Sequence, residues 1–559
     1  MEALHAMANP NAAHRHTGSV GNALRGVPRF RGGGDPTTPA PLESAQRHGG
    51  LQGFRAPFGL ILPFTLCILP VALRAQELKE PPPEVEVKKL TVRPTAAPQQ
   101  ALRYVLLPEL KDKIPGNAIQ SYYRAFSPEW WGSISRDKDF YDKLQKWLDV
   151  PLKDLAAGAK GPPRPVEPKQ TEGDISPREL AAQAQWVKNF NALHEVDRGA
   201  RREQADWDLT GRLKQEGPVL LLPDLQSMRT FGNLLAVRAR LEIADGDFDK
   251  AVYTLQTGFA LAKHTGEGPT LIHSLVGMAI GSMMFARIEE LIQQPGAPNL
   301  YWALATLPRG LIDMRMPIQG EQIIFASYLP DLKELEKSSL SVEQARAILD
   351  EWVARLGRLQ ELGFHLGPEY RLVHASWIAL VYPHAKERLI AAGRAPEEVD
   401  AMPAAQVVLI DTLREFNRLR DEMFKGFYIP YREGRPFSAR AEEDLRRTAA
   451  ESEPNLLLRV GLMTLPAVQK VQEASVRTER RIEFLRTIEA IRLHAAAHDG
   501  KAPARLAEIT AVPLPTDPVT GKPFEYEVNG NTAILTAPPS QGLAKTPNNA
   551  WRYELTFVK

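Results

Sequence analysis

With 559 residues, of which 43% are hydrophobic, the chain is long enough to form several domains with buried cores. Its formal net charge is +2, and because the first 75 residues hold seven arginines and three acidic residues, the remainder has a net charge of −2. This near-neutrality gives no electrostatic case for nucleic-acid binding, which needs a clustered basic face, and we expect no nucleic-acid partner.

Residues 1–50 are rich in Gly, Pro, His and Arg and show no apolar periodicity. Such a composition predicts either a disordered extension or a gene start that was assigned too early. Because export signals normally stand at the extreme N-terminus, we favour the second interpretation, with the true start near Leu51 at a non-ATG codon.

The segment 51–75 carries an uncharged apolar run, APFGLILPFTLCILPVAL, between Arg55 and Arg74. A positive residue, a short apolar core and a small residue at the cleavage position are the parts of a secretory signal peptide, and we predict cleavage between Ala75 and Gln76. The alternatives are a retained membrane anchor and a buried soluble segment. Three interior prolines and a length just short of a bilayer disfavour the anchor.

The only cysteine, Cys67, lies inside this apolar run. Cleavage would therefore place a protein without thiols in the periplasm or cell envelope, and membrane contact would be limited to an uncleaved signal segment. A chain without cysteine has no disulfides, no thiolate nucleophile and no Cys-ligated zinc, so its stability must come from a buried core.

Proline- and glycine-rich stretches divide the rest of the chain into predicted units. These are a linker at 76–100, a small aromatic-rich helical unit at 101–157, a second linker at 158–177, a helical solenoid-like domain at 178–479 and an α+β unit at 480–559. The fold class that we predict is mainly α, an irregular α-solenoid of helix hairpins with a small C-terminal α+β unit. We interpret the aromatic residues of the first helical unit, Tyr122 and Trp147 among them, as core rather than as a ligand platform.

The sharpest helical pattern spans residues 234–264, LLAVRARLEIADGDFDKAVYTLQTGFALAKH. Its first helix ends near Asp245, Gly246-Asp247 turns the chain, and the small Ala251 allows a second, antiparallel helix to approach closely. The turn and the spacing of small residues resemble a tetratricopeptide (TPR) hairpin. Because no second copy follows at a period of about 34 residues, the pattern predicts an irregular array rather than a regular one.

Residues 269–292 predict a helix whose first part, PTLIHSLVGMAIGSMMFA, has no Lys, Arg or acid and contains Gly277 and Gly281 at GxxxG spacing. Such spacing can mediate helix dimerisation in a membrane. We favour a buried central helix with a close crossing at the glycines, since charged residues follow directly at Arg287 and Glu289.

Beyond a predicted helix at 480–498, the apolar periodicity changes from helical to alternating. The segments 524–528 and 532–536 predict a β-hairpin whose type I′ turn is formed by Asn529-Gly530. The run WRYELTF from Trp551 predicts a closing strand. The helix and these strands make up the predicted end unit.

His494 and His498 lie four residues apart on the last predicted helix, a spacing at which two imidazoles can bind zinc. No third ligand accompanies them, and imidazolium is favourable near a helix C-terminus, so we interpret the pair as capping or packing residues. Asp517 stands in the loop before the predicted hairpin, and one carboxylate is not a calcium site. The chain beyond residue 75 has neither a P-loop nor a G-x-S-x-G motif, and we predict no metal, no cofactor and no catalytic residue.

Four titratable residues are candidates for a pocket. His264 and His273 flank a predicted turn at Gly266 to Pro269 and would line a shared pocket with Glu242 or Glu289. A histidine at a helix end is more often a satisfied structural residue, and we favour that interpretation of both.

Three strings, LQTGFALAKH (255–264), QQPGAPNLYWALATLP (293–308) and PLPTDPVTGKPFEY (513–526), resemble an uncharacterised family of exported helical proteins from planctomycete bacteria. The resemblance spans residues 100–559 and implies a location outside the cytoplasm and no established activity. The end unit also resembles the C-terminal part of type II secretion pseudopilins, in which a long helix leads to a small sheet through a loop like TDPVTGKPFEY.

The sequence therefore predicts an exported, non-enzymatic helical scaffold that binds a protein or peptide partner in the cell envelope, because stacked helix hairpins leave an extended concave surface. We expect this surface around Arg238 to His264. Two alternatives stay open, an envelope hydrolase with a His/Glu site between helices and a pseudopilin-like component of a secretion machine.

Overall fold

Helices dominate the computed structural model, as the three- and four-residue spacing of apolar residues predicts. The predicted N-terminal extension, the signal segment with Ala75 and Gln76, and residues 159–176 of the second linker lie outside the described residues. The structure describes residues 87–127, 140–158, 177–337, 339–357, 370–451, 465–540 and 545–558, and the single residues 85, 455, 458 and 543.

Eighteen α-helices lie in this described part of the chain. In chain order they are α1 (Ala118–Ala125), α2 (Phe140–Asp149), α3 (Leu152–Gly158), α4 (Pro177–Ala184), α5 (Asn191–Ala200), α6 (Thr210–Glu216), α7 (Asp224–Ala244), α8 (Phe248–Gly266), α9 (Leu271–Leu291), α10 (Tyr301–Ala305), α11 (Arg315–Tyr328), α12 (Leu332–Lys337), α13 (Val342–Gly357), α14 (Tyr370–Ala391), α15 (Pro396–Asp400), α16 (Ala404–Phe424), α17 (Tyr431–Glu451) and α18 (Pro466–Ala497).

Six β-strands of the described residues form two sheets. They are β1 (Val87–Val92), β2 (Ile114–Asn117), β3 (Arg202–Gln204), β4 (Glu525–Asn529), β5 (Thr532–Ala537) and β6 (Trp551–Phe557). β2 and β3 pair in parallel, and the other four form one sheet in the order β1-β6-β5-β4. β1 is parallel to β6, whereas the β4-β5 and β5-β6 pairs are antiparallel. The chain is thus mainly helical, with a small sheet built largely from its C-terminal end.

The helices α7, α8 and α9 pack on one another at the centre of the structure. Gly246 connects α7 to α8 with a positive φ of 77°. The Asp247 side chain then caps α8 by accepting a hydrogen bond from the Lys250 backbone N–H at 3.2 Å. Ala251 is fully buried in this hairpin. The predicted pair of helices and its turn are therefore confirmed.

α9 crosses α8 closely at Gly277. A Cβ atom added there would stand 2.5 Å from the Ala262 carbonyl oxygen and from the Gly266 Cα atom, and neither backbone atom can yield easily. Among the described helices, α9 is the one long and apolar enough to cross a membrane by length and composition. It packs against α7, α8 and α18, and its buried residues include Ile280, so the predicted central helix with a close glycine crossing is confirmed.

With 32 residues, α18 connects the helical part to the sheet. Its Phe484 ring packs against Trp551 and Tyr553 of β6, with centroid distances of 5.8 and 4.8 Å. The helix was expected to begin at residue 480 but begins at residue 466, because Val468 and Val471 continue the buried apolar stripe upstream. The predicted domain boundary at residue 480 therefore lies within a continuous helix.

β1 lies inside the segment predicted to be a linker, and that prediction is wrong for residues 87–92. The strand pairs in register with the last strand, from Val87 with Arg552 to Val92 with Phe557. Leu90 and Val92 are buried, whereas Lys89 and Thr91 are exposed. This alternation is typical of a strand, but the neighbouring prolines obscured it in the sequence. The predicted C-terminal unit is thus completed by a strand from the opposite end of the described chain.

The β4-β5 hairpin is confirmed, but its turn differs from the expected one. Asn529 pairs with Thr532, so the central residues are Gly530 and Asn531 rather than Asn529 and Gly530. Of these two, Gly530 has a positive φ of 58° and Asn531 does not. A type I′ turn needs positive φ at both positions, whereas a glycine at the first position alone is the type II′ pattern.

Four aromatic residues of the 101–157 segment pack into the core, as predicted, but Tyr123 is 42% exposed. Trp130 and Trp131 lie outside the described residues. Tyr122, Phe140 and Trp147 are buried, and Phe126 stacks on Phe231 of α7 with 4.9 Å between the ring centroids. All described residues belong to one compact unit, so this segment is not isolated from the helices that follow it.

Candidate functional site

The structure does not bring the four predicted pocket residues together. His273 and Glu289 lie sixteen residues apart on α9, or about 24 Å along the helix axis. Glu242 hydrogen-bonds to Thr254, which is ten residues from His264 on α8, or about 15 Å along that helix. Because rigid helices hold these groups apart, a pocket that combines the histidines with either glutamate is not formed.

His264 is a buried structural residue. Its Nδ1 atom hydrogen-bonds to the Tyr122 hydroxyl at 2.8 Å, and its carbonyl oxygen accepts a hydrogen bond from the Trp207 indole N–H at 3.0 Å. Burial, and to a smaller extent the charges of Lys113 and Lys263, lower the pKa of its imidazole to about 3. The ring is therefore uncharged at neutral pH.

His273 belongs to the N-terminus of α9, where Thr270 is the cap residue. The Thr270 hydroxyl accepts a hydrogen bond from the His273 backbone N–H at 3.3 Å and also hydrogen-bonds to Nδ1 of the ring at 2.7 Å. The ring packs edge-on against Trp207, and burial lowers the pKa of the imidazole to about 3. Both histidines are thus neutral core residues that contact Trp207, but among the described residues the buried Nε2 atom of His273 has no hydrogen-bond partner, so only His264 matches the satisfied residue that the favoured interpretation predicts.

Glu242 lies beside a buried ion pair inside the α7-α8 hairpin. Arg238 donates hydrogen bonds of 2.9 and 2.7 Å to the Asp197 carboxylate and one of 2.9 Å to the Thr254 hydroxyl. Burial raises the pKa of Glu242 to about 7, against the opposing effects of the Thr254 hydrogen bond and the Arg238 charge. These contacts make Glu242 part of the interior rather than of a cleft.

Glu289 connects the sheet to α9. Its carboxylate accepts hydrogen bonds from Lys88 of β1 at 3.1 Å and from the Tyr553 hydroxyl of β6 at 2.7 Å, and it forms an ion pair with Arg481 of α18. All three partners belong to elements that meet at this corner of the fold. Glu289 is therefore a structural residue.

The two weak metal motifs also have structural explanations. The rings of His494 and His498 stack nearly parallel, 3.9 Å apart, so their nitrogen lone pairs do not converge on one ion. Asp517 accepts hydrogen bonds from the Arg480 guanidinium at 2.6 Å and from the Val519 backbone N–H at 2.9 Å. Among the described residues no group of three or more His, Cys, Asp or Glu side chains is placed to hold a metal ion.

Two adjoining clefts are the best candidate for a functional site in the described structure. The first has a volume of about 570 Å³ and is named here the Lys113 cleft. Its charged lining residues come from the β2-β3 ribbon, from α8 and from the loop before α11. They are Lys113, Glu203, Lys263, Glu267 and Asp313.

The Lys113 cleft also has an apolar lining. It is formed by Leu107, Pro108, Ala205, Ala260 and Met316. Met316 is 55% exposed, and its flexible side chain can adapt to different bound shapes. The cleft therefore offers both charge and apolar contact to a ligand.

The second cleft has a volume of about 380 Å³ and shares Lys263, Glu267 and Asp313 with the first. It continues past these residues to Phe427 and Ile429, which follow α16. Because the two clefts share one charged wall, they form a continuous surface from the β2-β3 ribbon to the region of α16.

The charges of the shared wall are largely paired. Lys263 forms an ion pair with Glu267, and Arg315 donates a hydrogen bond of 2.9 Å to Asp313. Lys113 differs, since its ammonium donates a hydrogen bond of 3.2 Å to the Arg202 carbonyl oxygen and forms no ion pair with any described carboxylate. Burial, followed by the charges of Lys263 and Arg201, lowers the pKa of Lys113.

Of the four predicted pocket residues, only His264 lines either cleft. The sequence analysis missed Lys113, Lys263 and Asp313, which lie 150 and 50 residues apart along the chain. No local pattern joins them, and Lys263 with Glu267 is typical of a solvated helix pair. The nearest signal was the predicted binding surface around 238–264, which includes one side of the site.

Comparisons of this chain with models of protein families, with curated proteins and with solved structures give no match.

Proposed function

We propose that this chain is an exported, non-enzymatic helical scaffold that binds a protein or peptide segment in the cell envelope, and that the segment lies along the two adjoining clefts. The observation that carries this proposal is the shared wall of Lys263, Glu267 and Asp313, which joins two open clefts into one surface. An extended segment matches such a surface better than a compact small molecule does, because it can occupy both clefts at once.

The placement of the titratable groups favours binding over hydrolysis. A hydrolase needs an acid or base beside a nucleophile and a site that excludes water. His264 lines the Lys113 cleft, but its Nδ1 atom is hydrogen-bonded to Tyr122. Glu242 of α7 contacts α8 at Thr254, which lies about 15 Å from His264 along that helix. The charged groups that line the clefts are the ion pairs of Lys263 with Glu267 and of Arg315 with Asp313, together with Lys113, Glu203, Arg309 and Glu479.

An irregular α-solenoid is the architecture that we propose around this site. The α7-α8 hairpin, continued by α9, supplies one run of stacked helices, and α16 packs against α14 and α17 in a second. Stacked helix pairs leave extended surfaces on which proteins and peptides are commonly bound.

Site-specific cross-linking in the native host tests the binding surface. A photo-reactive residue at Met316 is expected to yield a discrete cross-linked product in the envelope fraction, because this exposed position lines the Lys113 cleft. The matched control is Leu380 of α14, which is 63% exposed and lines neither cleft. Equal products at both positions, or none at Met316 in a folded, exported chain, would contradict the proposal.

Export is tested separately by N-terminal sequencing of the chain from a fractionated host. We expect the chain in the periplasmic or envelope fraction, with Gln76 as its first residue. Cleavage there leaves the whole described structure intact, because β1 begins at Val87. An uncut chain in the cytosolic fraction would overturn this part of the proposal.

A further inference from the structure

We propose that the Lys113 cleft recognises a carboxylate group that stands next to an apolar side chain, with the Lys113 ammonium as its counter-ion. This inference rests on the proposed function, since it names the chemistry of the bound segment at the same surface.

The first step is the state of Lys113. An ammonium group has three donors, and among the described residues Lys113 donates one hydrogen bond, to the Arg202 carbonyl oxygen. The group is half-buried, and burying a cation without a counter-ion is unfavourable. An anion brought by a ligand would satisfy the remaining donors.

The second step is that the cleft's own carboxylates are engaged or distant. Glu267 is paired with Lys263, and Asp313 is paired with Arg315. Glu203 raises the pKa of Lys113 only as the weakest of the influences on it and does not reach ion-pair distance. Lys113 therefore lies near two cations, Lys263 and Arg201, and no carboxylate of the described residues reaches ion-pair distance from it.

The third step concerns the rest of the cleft. His264 lines the cleft but is uncharged at neutral pH, so it neither repels nor competes for an anion. Apolar residues, Met316 among them, line the same cleft as the charges, and a volume of about 570 Å³ is within the range of ligand pockets. A carboxylate beside an apolar side chain matches both kinds of lining residue.

Two sources supply this chemistry in a polypeptide, the C-terminal carboxylate and an Asp or Glu side chain. Three fluorescent peptides separate them when fluorescence anisotropy is measured with the purified full-length chain. They are Gly-Gly-Leu with a free C-terminus, the same peptide as its amide, and Gly-Leu-Asp-Gly amide, each carrying the same fluorophore on its N-terminus. We expect one of the two carboxylate peptides to bind at least tenfold more tightly than the neutral amide, which corresponds to about 1.4 kcal/mol.

The variant Lys113→Met is expected to abolish this preference, and Lys113→Arg to retain it because the charge is kept. Lys111→Met is the matched control, since Lys111 is 75% exposed, pairs with Glu109 and does not line the cleft. In the wild-type chain the preference should also disappear with rising pH below the range in which ordinary lysines lose their charge, because the pKa of Lys113 is lowered.

Equal binding of the amide and both carboxylate peptides, no saturable binding of any peptide, or an unchanged preference in Lys113→Met would overturn the inference. If cross-linking at Met316 still succeeds in that case, the proposed binding function stands and only the carboxylate chemistry fails. If cross-linking fails as well, the binding surface itself is wrong.

Discussion

Arg492 of α18 and Lys113 of the cleft are both cations removed from bulk water, but their surroundings differ. Arg492 is fully buried, donates hydrogen bonds of 2.8 and 2.9 Å to both Glu489 oxygens and also binds the Arg93 carbonyl oxygen at 3.0 Å. Lys113 is half-buried and has one carbonyl partner and no ion pair with a described carboxylate. The guanidinium of Arg492 is thus hydrogen-bonded to groups of the chain itself. The ammonium of Lys113 has donors that are available to a ligand.

The same contrast extends to the packing around the two sites. The junction of α18, α9 and the sheet is closed by Glu289, which three donors hold in place. The Lys113 cleft is open, and the exposed Met316 forms part of its wall. If this comparison is right, removing a charge should greatly destabilise the first region and hardly affect the second.

The largest effect is expected for Arg492→Met. The substitution leaves the Glu489 carboxylate buried without its partner, in a site where burial already raises the pKa of that group. Breaking a buried pair from one side costs about 3–5 kcal/mol of unfolding free energy, measured by urea denaturation. The control is Arg446→Met, whose pair with Glu443 is exposed on both sides, and it should change stability by less than about 1 kcal/mol.

A smaller effect is expected for Gly277→Ala at the α8-α9 crossing. The added methyl group would meet two backbone atoms at 2.5 Å, so the helices must move apart, at a cost of about 1–3 kcal/mol. Gly211→Ala in α6 is the matched control, because no atom lies within 4 Å of its added Cβ. That change should stabilise the chain slightly through helix propensity. Equal effects in thermal unfolding would contradict the tight central crossing.

The central helices and the Lys113 cleft also show what the sequence can and cannot predict. The α7-α8 hairpin and α9 were predicted because their signals are local, namely a Gly-Asp turn, a small residue and an apolar run. β1 was missed because six residues between prolines carry little pattern of their own, and their pairing with β6 depends on contacts across more than 450 residues. The Lys113 cleft was missed for the same reason, since three distant segments build it.

The burial of His273 can be tested through the pH dependence of the unfolding free energy. Its folded pKa of about 3 lies below the ordinary value near 6.5, so the unfolded state binds more protons as the pH falls. Stability contributed by the neutral ring is therefore present above about pH 6.5 and is lost progressively toward pH 3, by roughly 2 kcal/mol between pH 7 and 5.

The variant His273→Gln removes this titration, so the stability difference between wild type and variant should shrink by that amount over the same range. Urea denaturation at both pH values measures the difference. His384→Gln in the exposed part of α14 is the matched control, because the His384 side chain is 68% exposed. A constant difference for His273→Gln would show that its ring is not closed off from water.

The smallest effect on stability is expected for Lys113→Met, and this prediction decides the comparison. The change removes one hydrogen bond to the Arg202 carbonyl oxygen but also removes a half-buried cation that two neighbouring cations repel. These effects oppose each other, so the unfolding free energy should stay within about 1 kcal/mol of the wild type. A loss comparable to that of Arg492→Met would mean that the fold depends on the Lys113 charge, as it depends on the buried pair of Arg492 and Glu489. A chain that keeps its stability but loses its carboxylate preference would place the role of Lys113 in recognition.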